Sequence, residues 1–93
     1  MFRGSTAEIT LVQSRGCHLC ADARAAIEDL SARFAIVLTT IDARSAEGVA
    51  LVVRHRPALQ PLVLLDGEMF SAGRLPRRKL ERQLSERTQM AAS

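Results

Sequence analysis

Residues 8–20 read Glu8-Ile9-Thr10-Leu11-Val12-Gln13-Ser14-Arg15-Gly16-Cys17-His18-Leu19-Cys20. Ile9, Leu11 and Val12 form a short β-branched and aliphatic run that stops at Ser14-Arg15-Gly16, the pattern of a strand over residues 8–13 followed by a turn. Past the turn, Leu19, Ala23, Ala26, Ile27, Leu30 and Phe34 recur at steps of three and four. That spacing stacks them on one helical face, while Asp22, Arg24, Glu28 and Arg33 fall elsewhere. Both cysteines therefore stand at a strand–turn–helix junction.

Working outward, residues 35–41 are a second apolar run ending at Asp42. A helix fills the gap between the two runs, so they are expected to be parallel strands of a βαβ unit. Ser45 can cap a second helix carrying Val49, Val52 and Val53, which Gly48 weakens and Pro57 ends. Leu62-Val63-Leu64-Leu65 then meets Asp66-Gly67 and Glu68-Met69-Phe70-Ser71, a hairpin signal in which both turn positions need positive φ. Pro76 opens a last helix with Leu80 and Leu84 one turn apart, and fraying is expected from about Thr88. The expected architecture is α/β in the order βαβαββα: one domain over residues 1–93, with an ordered core at about 8–87. Its four-stranded mixed sheet carries helices on both faces.

Composition narrows the function. The chain has 93 residues, 47% hydrophobic and 25% charged, the balance of a single globular domain rather than a disordered tail. Two cysteines are too few for a disulfide-dense secreted scaffold. Aromatic residues stand at 3%, so an aromatic cage or base-stacking platform is not expected. The net charge of +3 comes almost wholly from arginine, spread along the chain, and does not by itself point to nucleic acid. The N-terminus shows no signal-peptide apolar core, and no run approaches the ~20 apolar residues of a membrane span. The expected setting is the cytoplasm, where closely spaced thiols suggest chemistry or metal rather than a structural bridge.

Cys17-His18-Leu19-Cys20 is the motif that carries chemistry. Cysteines three apart at a helix start bring their sulfurs within reach of a small disulfide ring. The unpaired amides and positive dipole end there favour a thiolate at Cys17, and the thiolate is the attacking form. Cys20, one turn further in, is expected to be more enclosed and suited to resolving. Pro61 lies directly before the Leu62 strand, a position that gives up only one ladder donor.

A first strand, CxxC at a helix start, a second βα unit, then Pro61, an aliphatic strand and Asp66-Gly67, in that order, resemble a glutaredoxin. The likeness covers roughly residues 8–84, in the minimal thioredoxin-fold layout. It implies Cys17 as nucleophile, Cys20 as resolving cysteine and Pro61 as a cis-proline flanking the disulfide. It also implies that the Gln60 main chain pairs with an extended substrate. Glutathione as co-substrate or a thioredoxin-type reductase would supply electrons, and the substrates would be protein or small-molecule disulfides. The chain departs from the family with His18-Leu19 between the cysteines, Gln60 before the proline, and Ser71-Ala72-Gly73-Arg74 after the hairpin. In this it is closer to small bacterial glutaredoxin-like proteins.

Other residues keep two readings. His18, when charged, would lower the Cys17 pKa, or it is an exposed first-turn residue. Arg15 would attract an anionic substrate or is ordinary surface. Asp22 would relay a proton to Cys20 or simply suits the dipole, and His55 caps a helix end. Arg74, Arg77, Arg78 and Lys79 would dock an acidic partner or form a solvated face. The expected function is a dithiol oxidoreductase acting as a monomer, without membrane or nucleic acid. The rivals are a metal or iron–sulfur module and a non-catalytic adaptor. No metal site is expected within one chain, because Cys17, Cys20 and one histidine give three ligands where a closed zinc site takes four.

Overall fold

Alternation along Ala7–Gln13 sends Ala7, Ile9 and Leu11 into one layer and Val12 into the other, so this strand, β1, is buried on both sides. The structure, a computed structural model, describes residues 6–92. The fraying expected of the N-terminus falls on residues 1–5, outside the described residues. β1 pairs parallel with β2 (Ile36–Asp42) and antiparallel with β3 (Leu62–Leu65), and β3 pairs antiparallel with β4 (Glu68–Ala72). The sheet order is β2-β1-β3-β4.

Helices cover both faces. On one, α1 (His18–Leu30) and α3 (Arg77–Ala92) pack Ala23, Ile27, Leu30, Leu80 and Leu84 against Ile9, Leu11 and Val63. On the other, α2 (Ala46–His55) sets Leu51 and Val52 on Val12, Ile41, Leu62 and Leu64. Each such leucine, isoleucine or valine, taken fully out of water, contributes roughly 1.5–3 kcal/mol. The element order βαβαββα and this layering are those of the minimal thioredoxin fold.

Local signals act where expected. Ser45 Oγ caps α2 by accepting the Gly48 N–H at 3.0 Å. Arg56, ahead of Pro57, leaves the helix in a left-handed conformation with φ 48°. Asp66 and Gly67 both take positive φ, 52° and 86°, in the β3–β4 turn. Gly48, which costs helix propensity, has a tertiary reason. A Cβ there would lie 2.1 Å from the Asp42 carbonyl oxygen, so α2 approaches the end of β2 too closely for any side chain.

Two helix ends differ from the sequence pattern. α1 stops at Leu30, not at Phe34: Ser31 Oγ donates to the Glu28 carbonyl at 2.6 Å, and the backbone then winds through a turn. Phe34 still packs on the α1–α3 core, because the turn carries it back over the sheet. α3 continues helical to Ala92. Its Arg87 is held by Asp66 and by the Thr6 carbonyl, and Thr88 Oγ1 donates to Leu84 O at 3.0 Å. Among the described residues, no helix is long and apolar enough to cross a membrane.

Candidate active site

β1 ends at Gln13, and Gly16, at φ 70°, turns the chain into α1. Cys17 then occupies the N-cap with extended backbone (φ −89°, ψ 108°), and its Sγ accepts the N–H of Cys20 at 3.1 Å. Oxygen side chains usually take this place; here a sulfur does, facing the unpaired amides where negative charge is favoured. Cys17 and Cys20 are joined as a disulfide with their Cα atoms 5.2 Å apart. Cys20 is 2% exposed, while Cys17 is only half-buried. Cys17 is the more exposed residue of the pair.

A groove of about 440 Å³ opens beside the pair. Gln13, Ser14 and Gly16 border it from the β1 end, and His18, Ala21, Arg24 and Glu28 from α1. Arg24 and Glu28 are ion-paired at 3.3 Å along that wall. Neither was singled out from the sequence, although Arg24 lies two helical turns after Cys17 and so on its face.

The Gln60–Pro61 bond is cis, and Pro61 is fully buried, its carbonyl accepting the Gly73 N–H at 2.9 Å. The loop before Pro61 meets the loop before Cys17 through a side-chain hydrogen bond, Ser14 Oγ donating to Gln60 Oε1 at 2.5 Å. No hydrogen bond of the Gln60 main chain to the described residues is present. Sequence reasoning read Ser14 as a turn residue only. The signal lay in the β1–β3 register: continued two places past Val12↔Leu62, it sets Ser14 opposite Gln60.

Of the other candidates, His18 is exposed at the start of α1 and borders the groove. Arg15 does not join it. It lines an adjoining hollow with Gln13, Ser14, Thr40 and Asp42, on the β2 side. Asp22 is exposed on α1, and His55 is half-buried in the last turn of α2. The cationic cluster is partly engaged within the fold: Arg77 pairs with Asp29 at 3.6 Å, and Lys79 stands 5.4 Å above the Phe70 ring. Among the described residues, no three His, Cys, Asp or Glu side chains gather as a metal site.

Fold and site together define a thioredoxin-fold chain with a CxxC disulfide at the head of its first helix, an arrangement compatible with a redox role. Neither a protein-family model nor a curated protein matches the chain.

Proposed function

We propose that the protein is a thiol–disulfide oxidoreductase of glutaredoxin-like type. The observation that carries this reading is Cys17, a half-buried residue at the helix N-cap whose sulfur accepts an amide N–H, with Cys20 enclosed one turn further in. In the reduced protein the Cys17 thiolate attacks one sulfur of a substrate disulfide. A Cys17–substrate disulfide forms, the substrate S–S bond breaks, and the other substrate sulfur leaves as a thiolate. Cys20 then gives up its proton and attacks the Cys17 sulfur. The Cys17–Cys20 disulfide forms, and the second substrate sulfur leaves reduced. Two electrons have passed from the protein to the substrate. An external thiol or dithiol returns them, with glutathione or a thioredoxin-type reductase as the chemical classes to test. A cytoplasmic setting, which keeps thiols reduced, suits this cycle in a monomer. The Gln60 main chain pairs with the extended substrate segment around the attacked sulfur, as strand addition binds peptides of varied sequence.

The test is turnover with a disulfide peptide, recycled by dithiothreitol. Cys17→Ala should lose reduction down to the uncatalysed background. Cys20→Ala, mixed with the peptide disulfide in the absence of dithiothreitol, should accumulate the mixed disulfide at Cys17, read by mass. At neutral pH a slow alkylating agent should label Cys17 of the reduced protein before Cys20. Wild-type turnover in Cys17→Ala, or labelling in the reverse order, would overturn the proposal.

A further inference from the structure

We infer that Ser14 is a positioning residue: it holds the Gln60 carboxamide so that Nε2 donates a hydrogen bond to an oxygen acceptor on an extended peptide substrate. The inference rests on the redox reading above and adds to it how the substrate is recognised.

The geometry begins in the sheet. β1 and β3 run antiparallel, and the register that pairs Val12 with Leu62 reaches Ser14 and Gln60 two places on. Both residues have left their strands by then, so no ladder hydrogen bond holds the two loops together there. The side chains do so instead, Ser14 Oγ–H to Gln60 Oε1, across 46 residues of sequence. A serine placed merely to make a turn would satisfy its hydroxyl locally. This one reaches across to the neighbouring strand's loop.

The consequence lies in what the bond leaves over. A carboxamide offers one acceptor oxygen and two N–H donors. With Oε1 taken by Ser14, the donors face the other way. Gln60 Nε2 has no hydrogen-bond partner among the described residues, and the one buried unpartnered side-chain atom found there is Ser71 Oγ. Nε2 is therefore open to solvent or to a ligand. It stands on the loop tied to Ser14, three residues before Cys17, at the end of the sheet where substrate must arrive. Fixing a long, rotatable side chain before the substrate binds removes an ordering cost from the binding step.

The acceptor that suits such a donor is a carbonyl oxygen of a peptide lying along the Gln60 loop. Cystamine, a small disulfide with no oxygen atom, cannot use the contact. The experiment compares the two substrates. One is a disulfide of two acetyl-Ala-Cys-Ala-amide peptides and the other is cystamine, both recycled by dithiothreitol, with wild type, Ser14→Ala, Ser14→Thr and Gln60→Met. Loss of one uncharged hydrogen bond predicts about a fivefold fall in the peptide-to-cystamine ratio of kcat/KM for Gln60→Met. The fall should appear as a raised KM for the peptide and not as a lowered kcat. Ser14→Ala should show the same sign, and Ser14→Thr, which keeps the hydroxyl, should restore the ratio. An unchanged ratio in either Ser14→Ala or Gln60→Met, or a loss carried by kcat, overturns the inference while leaving the redox reading intact. A wild type that reduces neither substrate overturns both.

Discussion

The two ends of the sheet treat their polar groups in opposite ways. At the β3–β4 turn, Asp66 is wholly engaged: its carboxylate accepts the Glu8 N–H at 3.0 Å and pairs with Arg87, and its own N–H donates to the Glu8 carbonyl at 2.8 Å. At the opposite end, Cys17 is half-buried above a groove, and the Gln60 main chain and Nε2 have no partner among the described residues. One strand, β1, runs between these ends, so the difference comes from the residues in the turns and not from the sheet. The lesson is a division of labour. One end uses its hydrogen-bonding groups to close the fold, and the other leaves several of them unpartnered among the described residues.

The largest effect is expected at the open end and on turnover alone. Cys17→Ala should cut kcat/KM by at least about 100-fold, because the proposed nucleophile is gone. Its reduced form should unfold within about 1 kcal/mol of reduced wild type, the usual worth of a helix cap. A much larger loss of stability would mean that Cys17 also holds the fold and would blur the contrast.

Gly48 challenges the comparison from the same end, since it packs beside the last residue of β2. Gly48→Ala should lower stability by about 3 kcal/mol or more, the range of overpacking against unyielding backbone. The gain in helix propensity, about 1 kcal/mol, is too small to offset it. A denaturant midpoint at or above wild type would show that α2 can lift off β2 at little cost.

The closed end should answer in stability and leave turnover alone. Asp66→Ala removes an acceptor, an ion-pair partner and a residue tolerant of positive φ, for a loss of about 1–2 kcal/mol. Asp66→Asn keeps the acceptor and the backbone tolerance but loses the partly exposed ion pair, for about 0.5 kcal/mol. If Asp66→Ala also lowers kcat/KM, the two ends are coupled. The smallest effect belongs to Arg33→Ala. Its pair with Glu81 at 2.5 Å is largely exposed, and about 0.5 kcal/mol or less is expected by thermal melting.

Much of this was legible in the chain. The Asp66-Gly67 dipeptide, the Ser45 cap and the Pro57 stop each act within a few residues, and each acts as read. The CxxC pair at a strand–turn–helix junction was legible for the same reason, down to the enclosure of Cys20. The end of α1 was not, because Phe34 suits the apolar face of a longer helix and equally a turn that folds back on the same core. The surroundings of the arginines near the motif were not legible either. Arg15, adjacent to the motif, lines a hollow shared with β2, whereas Arg24, two helical turns on, borders the groove.

From its order of residues alone this chain determined which segments are strands and helices and that a sulfur begins the first helix. Those outcomes depend on side-chain periodicity, caps and turn residues that act over one or two turns of backbone. Only the tertiary structure decided that Ser14 meets Gln60, that β2 leaves no room beside Gly48, and which arginine borders the cysteines. Each of these depends on how far one strand slides along another, and burial of the β1 and β3 rows sets that register across the whole domain at once.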